Sequence, residues 1–159
     1  MADAVCPAGN NCVVISKKTT SGDEVMHLLE VELYQGTTKL LTSSLAFTLS
    51  STWDNDTPAS NCNNGVTSPS SHSASCHTAA GDRNAWLLIN AGTQTFTRVV
   101  VYNRLEGYQY RIDPATLTIY SGSTVTTPAV TFSSKGSSLD SYTFADASCP
   151  SGNNCVVIS

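Results

Sequence analysis

Apolar residues along this chain either alternate with polar ones or gather in short blocks separated by Gly, Pro, Ser and Asn, and no segment sustains a 3.6-residue period. The pattern predicts strands at 12–15, 26–34, 45–49, 85–90, 96–103, 110–112, 117–120, 129–132 and 141–144. Many short strands with turn-rich connections predict an all-β chain folded as a β-sandwich or jelly roll. In 26–34, His27, Leu29, Val31 and Leu33 share one face and Glu30 and Glu32 the other, so this strand is expected to be half buried, with His27 a packed histidine. The run Val99, Val100, Val101, Tyr102 is apolar on both faces and predicts a central strand.

One apolar block occurs twice. Residues 6–16, CPAGNNCVVIS, return at 149–159 as CPSGNNCVVIS, offset by 143 positions and differing only at Ala8 against Ser151. Two copies of a strand cannot fill one slot. Either the second copy begins another repeat of a tandem array, or a subunit carries a strand destined for a neighbour. If 12–15 fill the slot, Cys155, Val156, Val157 and Ile158 form an edge segment that adds to a neighbouring subunit's sheet. Repeated head to tail, that contact builds a filament. Both arrangements predict that the partners are other copies of the chain, in a linear array where weak sites gain avidity.

Composition narrows the picture. A length of 159 residues, 40% of them hydrophobic, suits a single module spanning 1–159. With 13% charged residues and a net charge of −4, nucleic acid is excluded as the main partner, because phosphate neutralisation needs clustered Lys and Arg. No apolar run is long enough for a membrane-spanning helix, so no membrane insertion is expected. The six cysteines fall into local pairs, Cys6 with Cys12, Cys62 with Cys76 and Cys149 with Cys155, a pattern that fits disulfides better than zinc. The expected location is therefore extracellular, secreted or at the cell surface, with the signal peptide missing from this chain, since residues 1–5 lack its profile. Asn55-Asp-Thr57 is a glycosylation sequon, weakened by Pro58.

The stretch 51–81 is polar, rich in Asn and Ser, and closed by the expected Cys62–Cys76 bridge, the kind of long tethered loop on which binding sites sit. His77 follows it, with Arg104 after 26 intervening residues, Glu106 two further on and Arg111 five beyond that. This series resembles the signature of the F-type lectins, fucose-binding relatives of the discoidin-like jelly rolls, with Glu106 where that family has an aspartate. The likeness spans about residues 40–145 and includes Cys76-His-Thr78, the run 86–92, the run 98–104 and Arg111-Ile112. It implies a non-enzymatic, glycan-binding discoidin-like jelly roll. The implied sugar site is His77, Arg104, Arg111, Glu106 and Tyr108, with Tyr108 or Trp53 as the apolar platform. The chemistry is apt, because guanidinium groups offer paired N–H donors to adjacent hydroxyls and a neutral imidazole exchanges a hydrogen bond with one.

The same resemblance implies a structural calcium ion at Asn64, Ser75 and Glu30, weaker than in the family because Asn64-Gly65 stands for Asp-Gly. It also places residues 26–34 and 155–158 in the last and penultimate strands of a lectin. Either the domain is circularly permuted, using 6–34 as its final strands, or those strands belong to a neighbour. Nothing catalytic stands out: there is no nucleophile-elbow motif, phosphate loop or metal-protease pair. Glu106 and Asp113 have nothing to place them across a cleft as glycosidase carboxylates, and His72, among serines, reads as solvated. The expectation is a repeating subunit of a surface fibre or adhesive array. Its competitors are a purely structural filament subunit and a soluble, secreted, calcium-dependent lectin.

Overall fold

Short alternating stretches become short strands in the computed structural model, which describes residues 2–20, 25–67, 72–104, 107–122, 124–125, 130–132, 141–146 and 155–158. The strands are β1 Cys12–Lys18, β2 His27–Gln35, β3 Thr38–Lys39, β4 Ala46–Leu49, β5 Cys76–His77, β6 Asn84–Asn90, β7 Arg98–Asn103, β8 Thr116–Ser121, β9 Thr124–Val125, β10 Val130–Thr131, β11 Ser141–Asp146 and β12 Cys155–Ile158. They form two six-stranded sheets. One has the order β10-β8-β1-β6-β4 with β9 on β8, the other β12-β11-β7-β2-β3 with β5 on β2. Every described pairing is antiparallel except β11 with β12, which is parallel. The all-β, two-sheet expectation is met, and β7 is central as its doubly apolar sequence predicts.

Strand β6 shows the packing rule most simply: Ala85, Leu87 and Ile89 are buried while Trp86, Leu88 and Asn90 are only partly covered. The core joins these to Val13, Ile15 and Leu117 of the same sheet and to Leu28, Val31, Leu33, Val99, Val101 and Phe144 of the other. Phe132 meets Phe144 edge to face at 5.2 Å, an arrangement worth about 1 kcal/mol beyond the area it buries.

Strand β1 lies between β6 and β8, registered Cys12↔Asn90 and Cys12↔Tyr120. Asn11 fixes its entry. Its N–H donates to the Gly92 carbonyl (2.6 Å) and its carbonyl accepts from the Ala91 N–H (2.9 Å). Its side chain donates to the Gln94 carbonyl and accepts from the Gly122 N–H, both at 2.9 Å. At the far end the buried Lys17 ammonium donates to the carbonyls of Val25 (3.2 Å) and Arg111 (3.0 Å). The described strands of the two copies thus occupy different places: β1 is internal and antiparallel, whereas β12 is a parallel strand at the end of the described order, beside β11. Residues 6–34 contribute β1 and β2 to the sheets of their own chain.

Two expectations are corrected. Strand β2 is buried on both faces, not half buried, with Glu30 at 0% and Glu32 at 6% exposure. A bulge between Leu28 and Glu30 interrupts its alternation. Glu32 is tolerated there because it accepts hydrogen bonds from Lys39, Tyr34 and Tyr102. Residues 110–112 are not a strand but part of a 3-10 turn, Gln109–Ile112, in which the N–H groups of Arg111 and Asp113 bond back to Tyr108 and Tyr110. Pro114, two residues beyond, has no N–H for a ladder.

The disulfides Cys6–Cys12 and Cys62–Cys76 are formed, whereas the expected Cys149–Cys155 bridge lies outside the described residues. Among the described residues no helix is long and apolar enough to cross a membrane.

Candidate functional site

The antiparallel pairing of β2 with β5 sets His27 opposite His77 and Leu28 opposite Cys76, joining residues far apart in sequence. The Cys62–Cys76 bridge then ties the polar loop to this edge. Asn61 braces the loop through its Nδ2, which donates to the carbonyls of Asp56 (2.7 Å), Ser73 (2.8 Å) and Ser75 (3.2 Å). Beneath it Glu30 accepts the N–H groups of Asn64 (2.9 Å) and Gly65 (3.2 Å), the latter turning with φ +82° as glycine permits. Burial, opposed by those two amides, pushes the Glu30 carboxyl up to about 7.

The centre is the Arg111 guanidinium. Its Nη1 donates to His27 Nδ1 and to His77 Nε2, each at 3.1 Å. The opposite ring nitrogens fix the tautomers. His77 Nδ1 lies 2.5 Å from the Thr78 carbonyl, which can only accept, so that nitrogen carries the proton. His27 Nε2 donates to Ser75 Oγ at 2.7 Å, and the Ser75 hydroxyl in turn donates to the His72 carbonyl at 2.6 Å. Arg104 Nη1 donates to the same Ser75 oxygen at 3.3 Å. Both imidazoles are thereby neutral. Burial first, then the neighbouring His77, Arg104, Arg111 and His72, pushes His27 down to about 2.

Aromatic rings frame this polar floor. The Tyr108 ring lies 4.4 Å from the Arg111 guanidinium and 5.7 Å from that of Arg104. Trp53 lies 5.2 Å from His77, ring centre to ring centre, and its backbone N–H donates to the His77 carbonyl. Trp53, Tyr108 and Tyr110 are exposed, while His27, His77 and Arg104 are buried. His72 pairs with Asp54 at 3.0 Å on the rim.

Of the residues the sequence predicts for a sugar site, His77, Arg104, Arg111 and Tyr108 do come together, and Glu106 lies outside the described residues. The predicted calcium set does not fit. Both Glu30 oxygens face amide N–H groups, Asn64 Oδ1 accepts from the Val66 N–H, and the Ser75 hydroxyl belongs to the histidine network. A cation needs those oxygens turned towards one point. Two residues escape sequence reasoning, His27 and His72. His27 is packed as expected, yet it holds Arg111, and His72 is pinned by Asp54 within 5.9 Å of the His77 ring. All three histidines of the chain meet here, His27 and His77 through the β2–β5 register and His72 through the loop that precedes β5.

Chemically the site offers fixed hydrogen-bond donors beneath exposed aromatic faces. The Ser75–His27 contact is no nucleophile–base couple, because the Ser75 hydroxyl is fully buried and its proton is committed to His72. Comparison with family models, with curated proteins and with solved structures finds no match.

Proposed function

We propose that this chain is a non-enzymatic, extracellular, glycan-binding subunit of a linear array, taking a fucose-like sugar at the Arg111 site. The observation that carries the reading is the clamped guanidinium: Arg111 held by His27 and His77 at 3.1 Å, with the Tyr108 ring 4.4 Å away. A fixed fork of N–H donors suits vicinal hydroxyls, and exposed Trp53 and Tyr108 suit the apolar face of a pyranose. The likeness of the His77, Arg104 and Arg111 spacing to the F-type lectins points the same way, and the two disulfides are compatible with an oxidising exterior. Calcium has no part in this reading.

Titration with L-fucose, followed by a glycan array, tests it. Arg111→Ala and Arg104→Ala are each expected to weaken binding about tenfold or more, the loss of one charge-assisted hydrogen bond. Unchanged affinity in both variants, or no glycan bound by the wild type, overturns the lectin reading. The second reading, a structural filament subunit, is favoured by the burial of His77 at 3% and Arg104 at 5%. On that account the same substitutions lower stability and leave no binding to lose.

A further inference from the structure

A linear array leaves open which surface of each molecule receives the repeated segment. Resting on the array reading, we propose that the acceptor is the internal slot between β6 and β8, so that residues 149–159 of one molecule replace residues 6–16 of another instead of extending an exposed sheet edge.

What the slot contacts in residues 6–16 is present again in the sequence of 149–159. Val13 and Ile15, both 0% exposed in the core, reappear as Val156 and Ile158. Asn11, whose side chain and backbone bond to Gly92, Ala91, Gln94 and Gly122, reappears as Asn154. Asn10, whose Nδ2 donates to Asn90 Oδ1 at 3.1 Å, reappears as Asn153. Ser16, 3.1 Å from the Thr116 hydroxyl, reappears as Ser159. The single difference, Ala8 against Ser151, falls at an exposed position. A surface chosen for an unrelated purpose has no reason to confine its variation to the exposed turn 7–9, away from every contact just named.

In the slot, residues 12–16 are registered with β8 on one side and β6 on the other. Strand β12, which carries the same residues, is paired among the described residues with β11 alone, over the pairs from Thr143↔Cys155 to Asp146↔Ile158. Transfer of β12 into a slot therefore gives it a second flanking strand. The competitor is the β1 already in place, which has the same sequence and the advantage of being tethered. Exchange is accordingly near balance, set by protein concentration against the effective concentration of the tethered strand, and slow because β1 has to leave.

Near balance, one substitution made in either copy has opposite effects. Asn11→Ala weakens the resident strand by removing its side-chain bonds to Gln94 and Gly122, without altering the slot walls. It should lower the concentration for half-assembly about tenfold or more. Asn154→Ala weakens only the incoming strand and should raise that concentration by a similar factor. Both changes are mild enough to preserve the fold. The measurement is light scattering coupled to size exclusion over a concentration series of full-length chains refolded together, with electron microscopy of the large species. Opposite shifts support the proposal. A wild type that assembles while both variants shift the same way, or not at all, overturns the slot assignment and leaves the array. If the wild type and both variants stay monomeric at every concentration, the array reading itself falls and the slot goes with it.

Discussion

Acidification from about pH 4.5 to about pH 2.5 should destabilise the fold by about 1.4 kcal/mol per pH unit through one imidazole. The His27 pKa lies at about 2 in the folded chain against an ordinary 6.5, because burial and then the charges around it disfavour the imidazolium. Below pH 6.5 the unfolded chain takes up a proton that the folded one refuses, so the His27 contribution is full above 6.5 and drains away as pH falls towards 2. Glu30 works in the opposite sense. Its pKa is raised from 4.5 to about 7, so its contribution is full below 4.5 and is lost as pH rises through 7. Between 4.5 and 6.5 the two slopes oppose each other and stability should be nearly flat. Under more acidic conditions His27 is unopposed. Glu32 adds to the loss there, since its hydrogen bonds from Lys39 and Tyr34 outweigh burial and hold it below the usual carboxylate range. Urea denaturation across the range reads this directly. His27→Gln should flatten the acid limb by about 1.4 kcal/mol per unit, and an acid limb identical to wild type would sink the assignment.

Replacing Cys62 and Cys76 together with alanine should cost about 3 kcal/mol, the loop-closure expectation for a bridge of this span, with sequence separation 14. Both sulfurs are buried and the bridge ends one residue before His77, so on the proposed lectin reading sugar binding at Arg111 should fail along with stability. Thermal melts and L-fucose titration of the double variant give the two readouts. A loss below about 1 kcal/mol with binding intact would mean that Asn61 and the Glu30 clamp hold the loop without the bridge. Reductant added to wild type should reproduce the variant, with a further effect from opening Cys6–Cys12.

Much of the sandwich was legible because its strands obey local rules. β6 and β7 carry their burial in their own alternation or apolarity, and β1 declares itself as a valine-rich block. Where reading failed, a non-local or sub-period feature decided. The bulge after Leu28 shifts the faces of β2, and no single-strand pattern records a bulge that depends on its partner β7. Of the four two-residue strands described, β3, β5 and β9 went unread, being shorter than any period. At the site, His77, Arg104 and Arg111 could be named from their resemblance to the F-type lectin signature, and Tyr108 as an aromatic residue beside them. His27 and His72 could not, because their roles arise from a β2–β5 register and a loop fold that bring distant residues together. The calcium set rests on the resemblance, which names residue types and not which way their oxygens turn; here Glu30 accepts the Asn64 and Gly65 amides.

The clamp on Arg111 has an entropic side. A long arginine side chain immobilised on meeting a ligand usually forfeits about 1–2 kcal/mol of rotamer freedom at that moment. Here the two imidazole lone pairs have already stilled it during folding, and because both rings are neutral they do so without cancelling its charge. Whatever docks on that guanidinium meets a donor whose motion was surrendered when the chain folded, and its residence there is governed by contacts made and not by order imposed.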